Sequence, residues 1–505
     1  MSLHARADTV SLPGERLRTS AAWNIAATCW SAALNLACLP IFLARLGPEA
    51  FGLIVVYAAL QSLSSLFDLG MSRVIARELG ARRDANAVQR AAIDLARTLE
   101  VAYWAIGGMI GLVVVLAAPL LAARWLTLDQ LTVARATTCL GLMGLVFALQ
   151  WPFSYYSGAF QGIERQATLN RIVIVTTSLR YLGAAAVLML RPSPEAFFVW
   201  QALAVGVQTA WLRYTLWQFL GRGPAARFEP ALLRHVWRFG LGLSAISVVA
   251  VLLSHLDKLI LSKLLPLSAI AYYGLANTVA QALSIATNAV NTAAFPRLAR
   301  LVSGQHHEEL RELYRTLTQA TAVVVAVPAA VLVAFPTELT FAWTRDGATA
   351  QHVAPLLVLL ALGSVCLALQ SAPYTLALAH AWTRPSLVIG LVTLPLFVVS
   401  LVLLVRTHGA RGAAWAWLLL NGFTMPFFIT WVHRRLVPGT QVQWWLDVGR
   451  PCAAAFVVTF AVRAIAPMPR ELPALVLIAL TAGTAALTAV AASPAALAIV
   501  RRGRR

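Results

Sequence analysis

The sequence predicts an all-α integral membrane protein with about 14 transmembrane helices, in two pseudo-equivalent six-helix lobes followed by two C-terminal helices. Hydrophobic residues make up 59% of the 505 positions and charged residues only 12%, whereas a soluble domain carries about 25% charged residues. Apolar stretches of helix length follow one another with short loops between them, and about 20 apolar residues cross the hydrocarbon core. None has the alternation of a membrane β-strand, so helices must satisfy the backbone.

The predicted spans follow in order along the chain, each an apolar stretch bounded by polar or basic loops. They cover residues 22–44, 51–70, 100–122, 136–158, 168–190, 196–219, 240–263, 270–294, 314–334, 354–378, 386–405, 412–431, 451–467 and 473–499. Pro152 lies inside the fourth span and predicts a kink there. The first 20 residues are polar and lack an apolar core or cleavage site, so no signal peptide is predicted.

The distribution of basic residues predicts the orientation. With the N terminus in the cytoplasm, arginines collect on the inner side: near Arg18, from Arg73 to Arg97, in the loop after the sixth span, near Arg297, and in the tail. This is the positive-inside pattern, and it accounts for the net charge of +20 without a nucleic-acid partner. The sequence therefore predicts a multi-pass protein of the inner (plasma) membrane with both termini cytoplasmic.

Several chemistries are disfavoured by what the sequence lacks. The two lysines, Lys258 and Lys263, do not follow a glycine-rich loop, so the chain has no P-loop for ATP. The longest outer loop, 335–352, is too short for a catalytic lobe. The pair His306–His307 lies beside two glutamates, and a solvated charged loop is the preferred interpretation over a metal site. We therefore expect no enzyme, no metal and no cofactor.

Polar residues form stripes along four of the predicted helices, at helical spacing. The stripes comprise Asn24, Thr28, Ser31 and Asn35 on helix 1; Tyr57, Gln61, Ser64 and Asp68 on helix 2; Ser244, Ser247, Ser254 and Lys258 on helix 7; and Asn277, Gln281, Ser284, Asn288 and Asn291 on helix 8. Such residues also pack membrane helices together, so any one stripe has two interpretations. Four stripes on two equivalent helix pairs favour a hydrated central cavity.

An internal repeat supports this equivalence. The segment that leads into helix 2 aligns with the segment that leads into helix 8, placing Arg45 with Lys263 and Pro48 with Pro266. The predicted regions are an N-terminal segment 1–20, an N-lobe 21–220, a cytoplasmic linker 221–238, a C-lobe 239–435, the last two helices 449–499, and a basic tail 500–505. Transporters with such repeats bind substrate near the membrane midplane.

Ionisable residues at membrane depth are the sharpest candidates, because a charge near the bilayer centre costs at least about 2.5–3.5 kcal/mol. Arg180 lies near the middle of helix 5 and is predicted to be functional. For Asp257 and Lys258 in helix 7 the alternative is a local ion pair. For Asp68 the alternative is an ion pair with Arg73, and Arg213 can reach the interface.

Three segments resemble the bacterial polysaccharide flippases of the Wzx, or O-antigen translocase, type. The first comprises Leu46–Gly52 (LGPEAFG) and Leu66–Arg73 (LFDLGMSR); the second is Gly158–Asn170 (GAFQGIERQATLN); the third comprises Leu256–Leu265 (LDKLILSKLL) and Tyr272–Ala276 (YYGLA). They occur in the same order as in that family and extend over most of the chain to about residue 435. The resemblance implies a multidrug/oligosaccharidyl-lipid/polysaccharide exporter fold.

The resemblance also implies a substrate, an undecaprenyl-diphosphate-linked oligosaccharide (an O-antigen, capsule or exopolysaccharide repeat unit) moved from the cytoplasmic to the periplasmic leaflet by alternating access. Arginine suits diphosphate oxygens, and amide stripes suit sugar hydroxyls. The candidate substrate-binding residues are Arg180, Lys258, Asn24, Asn35, Gln61, Asn277, Gln281 and Asn288. Candidate coupling or gating carboxylates are Asp68 and Asp257, and candidate inner-mouth residues are Arg18, Arg73 and Arg297.

Expected partners are the lipid-linked oligosaccharide and membrane lipid, with a polysaccharide polymerase or glycosyltransferases as further candidates; coupling to an ion or to membrane potential stays open. Two alternatives remain. A multidrug or small-cation antiporter of the same superfamily would need cavity carboxylates, which are few here. A non-transporting membrane scaffold for polysaccharide synthesis would use the polar stripes only for packing.

Overall fold

The structure is a computed structural model that describes residues 13–64, 68, 70–81, 86–220, 248–249, 251–465 and 472–493. Side chains before residue 22 are outside that description, so Arg18 is placed only by its backbone in the first helix. The predicted linker 221–238, the tail 500–505 and most of the N-terminal segment lie outside the described residues.

Helices account for almost all of the described chain, and within it no strand forms. They are α1 Pro13–Ser64, α2 Met71–Ala81, α3 Asn86–Leu120, α4 Val133–Gln150, α5 Pro152–Gly162, α6 Gln166–Leu190, α7 Pro194–Leu220, α8 251–264, α9 Leu267–Ser303, α10 His307–Ala334, α11 Pro336–Thr344, α12 Gly347–Leu369, α13 Ser371–Ala379, α14 Arg384–Leu436, α15 Gln441–Ile465 and α16 Leu472–Ala491. Eight helical stretches in the described part are long and apolar enough to cross a membrane. The predicted all-α membrane fold is therefore confirmed.

Breaks in the long helices mark where the chain turns between predicted spans. α1 contains span 1 and residues 51–64 of span 2, and Gly47 between them has φ 78°, a conformation that favours glycine because it has no Cβ. α14 likewise contains spans 11 and 12, separated at Gly409 with φ 58°. The fourth span ends as α4 at Gln150 and resumes as α5 at Pro152, which confirms the predicted break at this proline.

Other boundaries differ from the prediction. α3 begins at Asn86 and α15 at Gln441, several residues before the predicted spans 3 and 13. The segment after span 2 forms a separate helix, α2, and the predicted outer loop 335–352 contains the short helix α11. These differences arise because span prediction follows hydropathy, whereas a helix continues into polar sequence when its backbone bonds and neighbouring helices support it.

Contacts divide the chain into two compact units. Unit 1 consists of described residues within Met1–Arg45, Phe67–Ala123 and Val133–Ser244, and unit 2 of those within Leu46–Leu66, Arg124–Thr132 and Ala245–Arg505. Unit 2 thus includes two segments from the first half of the sequence. The first segment packs against α9, where Gly52 faces Leu267, and the second contacts α8 at Ser262.

Two kinds of contact hold these segments within unit 2. The buried carboxylate of Glu49 accepts the backbone N–H groups of Asp129, Gln130 and Leu131 at 2.7–3.0 Å. The Trp125 Nε1 donates to Ser262 Oγ at 3.0 Å, and the ammonium of Lys263 donates to the Arg124 carbonyl. A carboxylate that accepts several backbone N–H groups is a strong, charge-assisted anchor. Segment 124–132 is therefore fixed to both α1 and α8.

Candidate functional site

Asp68 of unit 1 is surrounded by hydroxyl groups. Its carboxylate accepts hydrogen bonds from Ser72 Oγ at 2.7 Å, Ser154 Oγ at 2.8 Å and Tyr103 Oη at 2.5 Å. Tyr103 is fully buried, whereas Asp68 is half-buried. The partners of Asp68 among the described residues are therefore hydroxyls rather than Arg73, which lies exposed on α2.

Glu100 of α3 is the most heavily hydrogen-bonded carboxylate among the described residues, and only 1% of it is exposed. It accepts from Tyr156 Oη at 2.8 Å, Trp217 Nε1 at 3.1 and 3.2 Å, Arg213 Nε at 3.0 Å and Arg97 Nη1 at 2.8 Å. Because α3, α5 and α7 all contribute donors, this one carboxylate ties three helices of unit 1 together. Arg213 is thus part of an ion pair with Glu100.

Arg180, the predicted mid-membrane cation, lies on α6 and donates through Nε to the amide oxygen of Gln201 on α7. Gln201 is buried, with 2% exposure, and Arg180 is half-buried. The amide oxygen therefore holds the guanidinium in place. Of the two amides predicted on helix 1, Asn24 is exposed and Asn35 is half-buried.

Asp257 and Lys258 of α8 form a closed ion pair inside unit 2. The Lys258 Nζ lies 3.0 Å from both carboxylate oxygens of Asp257, and Tyr273 Oη donates to the same carboxylate at 2.7 Å. Both charged residues are buried, at 1% and 6% exposure. Their charges are therefore matched locally, which is the alternative considered from the sequence.

The polar stripe of helix 8 divides between two environments on α9. Asn291 is buried, and its amide donates to the Thr287 carbonyl and to Ser371 Oγ, both at 2.8 Å, so it packs helices together. Asn277 is buried as well, and Gln281 is half-buried. Asn288 is exposed and, together with Ser284 from α9 and Ser254 from α8, lines a cavity of about 390 Å³ in unit 2.

The remaining predicted residues lie at separate places. Gln61 is half-buried in the part of α1 that belongs to unit 2. Arg297 is exposed near the end of α9, as Arg73 is near the start of α2. Within unit 2, the structure therefore pairs Asp257 with Lys258 and places Asn288 at a cavity. The inner-mouth role of the arginines stays a prediction.

Sequence reasoning missed two buried carboxylates, Glu100 and Asp447. Asp447 on α15 is 4% exposed and accepts from Arg315 at 2.9 and 3.2 Å, Gln319 at 2.6 Å and Gln443 at 3.0 Å. Glu100 is the first residue of predicted span 3 and Asp447 lies just before predicted span 13, whereas the helices that carry them begin at Asn86 and Gln441. The available signal was the isolated acidic residue within one turn of a span.

Comparisons with known proteins agree on the fold. A lipid II flippase MurJ in an inward closed conformation superposes with a TM-score of 0.72 at 12% identity, over 92% of this chain and 96% of that one. An inward-facing multidrug resistance MATE family transporter of the MOP superfamily gives 0.66 at 15% identity, over 80% and 94%. At these identities the likeness establishes the fold.

The sequence comparisons are more specific. A protein of Shigella flexneri described as "Putative O-antigen transporter" is 20% identical over 404 residues, which is 78% of this chain and 92% of that protein. The sequence model of the family described as "Polysaccharide biosynthesis protein" matches residues 42–341.

The helical fold and these relatives define a multi-pass membrane transporter rather than an enzyme. The family match extends over more than half of the chain. The protein belongs to the polysaccharide biosynthesis protein family.

Proposed function

We propose that this transporter flips an undecaprenyl-diphosphate-linked oligosaccharide from the cytoplasmic to the periplasmic leaflet of the bacterial inner membrane, with both termini cytoplasmic. The observation that carries the proposal is the family match over residues 42–341, together with the O-antigen transporter of Shigella flexneri that aligns with 78% of the chain. Alternating access is the expected mechanism of transporters with this repeat architecture.

The electrostatics of the described residues support an anionic substrate. Arg180 lies half-buried in unit 1, where its Nε donates to the amide oxygen of Gln201, and a guanidinium is the side chain best suited to phosphate oxygens. Lys258 is buried and held in an ion pair with Asp257. Of the two cations considered from the sequence, Arg180 is therefore our candidate for the diphosphate contact.

A multidrug or cation antiporter is the second candidate, favoured by the likeness to a MATE transporter. Its cation would need a carboxylate that is not already matched. Glu100, Asp257 and Asp447 are each paired with an arginine or lysine, and Asp68 alone among these four is held by hydroxyls. We assign Asp68 to coupling, with a proton or cation as its ligand, rather than to a drug site. A polymerase or glycosyltransferases remain proposed partners.

The proposed function is tested by deleting the gene and extracting lipid-linked glycans, with an assay of the leaflet that they occupy. We expect a polyprenyl-diphosphate oligosaccharide to accumulate on the cytoplasmic side while surface polymer is lost. Re-expression of the wild-type protein should reverse both changes. Unchanged glycolipid and polymer in the deletion strain, with altered resistance to cationic drugs, would replace the flippase with the antiporter.

The coupling role of Asp68 gives a separate prediction. Asp68→Asn keeps the size of the side chain but removes its charge. Hydrogen bonds to a charged group are stronger than those to a neutral group. We therefore expect the rate of flipping in the complemented strain to fall about tenfold or more. Ser154→Ala is the matched control, since it removes one of three donors and leaves the carboxylate. Flipping at the wild-type rate by Asp68→Asn, at normal membrane abundance, would exclude Asp68 from coupling.

A further inference from the structure

The cavity of about 390 Å³ lies wholly within unit 2, among α8, α9, the α12–α13 junction and both parts of α14. Its volume falls within the range of roughly 300–1,000 Å³ that is usual for small-molecule sites. It is therefore large enough for an organic group rather than a single ion or water.

The chemistry of the lining is polar but uncharged. Of the described residues that line the cavity, none is an Asp, Glu, Lys, Arg or His; hydroxyl and amide side chains alternate with aliphatic ones. The amide of Asn288 and the hydroxyl of Ser284 have no hydrogen-bond partner among the described residues. A lining of this kind offers both donors and acceptors but no counter-charge for a phosphate or a cation.

One polar atom of the lining is buried and unsatisfied. The Oγ of Ser386, near the start of α14, is inaccessible and has no hydrogen-bond partner in the part of the chain that the structure describes. Leaving a hydroxyl buried without a partner costs about 1–3 kcal/mol, and such groups in native proteins call for an explanation. A ligand with hydroxyl or amide groups would supply the missing partner, whereas an apolar chain would not.

Aromatic side chains complete the cavity. Trp417 is 5% exposed and its Nε1 lies 3.4 Å from Ser364 Oγ, so the indole ring is held in place. Tyr374 and Phe428 also line the cavity. Pre-formed ligand sites typically combine such rings with a few placed polar groups, and the C–H faces of a sugar ring pack well against them.

We propose that this cavity binds an uncharged sugar residue of the transported glycan. The proposal rests on the proposed function. It assigns the hydroxyl and amide contacts to Asn288, Ser284 and Ser386 and the ring contact to Trp417. The competing occupant is a prenyl chain. Removal of the polar groups would strengthen the binding of a prenyl chain rather than weaken it.

The occupant can be identified directly by photo-crosslinking in a strain that makes the polymer. The full-length protein carries p-benzoylphenylalanine at position 288, which lies exposed at the cavity, or at position 292, which is exposed one turn further along α9 and does not line it. We expect an adduct at position 288 whose fragment ions contain sugar, and none at position 292. An adduct with only phospholipid or prenyl fragments, or no adduct at position 288, would overturn the proposal.

A pair of variants tests the polar contacts. Asn288→Leu combined with Ser386→Ala removes two hydrogen-bonding groups, neither of which bonds to another described residue, so folding should be kept. We expect flipping to fall about tenfold at normal abundance, as two lost hydrogen bonds imply. Thr292→Leu is the control and should flip like the wild type. Unchanged or increased flipping in the double variant would contradict a sugar site.

The deletion strain separates this inference from the function on which it rests. If deletion fails to trap a cytoplasmic lipid-linked glycan, the flippase proposal itself fails. If deletion traps the glycan and the double variant restores flipping in full, the flippase proposal stands and the sugar site alone is wrong.

Discussion

Gly52→Ala should lower the unfolding temperature of the purified protein and the amount recovered from membranes. A Cβ at position 52 would lie 2.2 Å from the Leu267 carbonyl oxygen and 2.9 Å from the Leu267 Cβ. Since the obstructing atoms belong mainly to the backbone at the start of α9, α1 and α9 must move apart. Overpacking of this kind costs about 1–3 kcal/mol. The contact of Gly274 with Val55 leaves the two helices little room to adjust, because a Cβ at position 274 would lie 2.5 Å from the Val55 side chain.

Gly108→Ala is the matched control, because Gly108 also lies inside a helix but a Cβ there would meet nothing within 4 Å. In that position alanine should be neutral or stabilising by up to about 1 kcal/mol, as its helix propensity exceeds that of glycine. Equal unfolding temperatures for Gly52→Ala and the wild type would mean that the α1–α9 contact is looser than described.

Glu100→Ala should destabilise unit 1 more than any other single carboxylate substitution there. It removes the acceptor shared by Tyr156, Trp217, Arg97 and Arg213. Breaking a buried pair in this way costs about 3–5 kcal/mol, and we expect the lower end because the arginine side chains are 37% and 49% exposed and can turn to solvent or headgroups. The measurement is thermal unfolding of the purified protein.

Two further variants serve as controls for Glu100→Ala. Glu100→Gln keeps the volume and one oxygen acceptor, so it should unfold between the wild type and Glu100→Ala. Glu312→Ala removes an exposed carboxylate on α10 and should change little. If Glu100→Ala were as stable as the wild type but inactive in flipping, Glu100 would belong to the transport cycle instead of the scaffold.

Hydropathy and spacing predicted the helical class and the break at Pro152, because these depend on local sequence. Gly47 illustrates what was missed: its left-handed conformation, which joins two spans into one kinked helix, depends on how the flanking segments pack. The same holds for Glu100, whose four donors come from residues up to 117 positions away. Contacts across such distances are absent from a single sequence.

The candidate site was predicted unevenly for the same reason. The sequence identified Asn288 and Ser284 as members of a polar stripe, and both line the cavity of unit 2. It could not separate them from Asn291 on the same stripe, which is used for packing. Helical periodicity places residues on one face, but only the neighbouring helices decide which part of that face meets a cavity. The roles assigned to these residues remain proposals.

The membership of Leu46–Leu66 and Arg124–Thr132 in unit 2 has a consequence for biogenesis. A ribosome delivers these segments long before residues 245–505, with which they pack. Until α9 arrives, the surface around Gly52 has no partner, so the order of synthesis differs from the order of assembly. The early segments must therefore stay in the membrane without their packing partners until the later helices are synthesised. The two halves of the gene thus do not encode two products that fold independently.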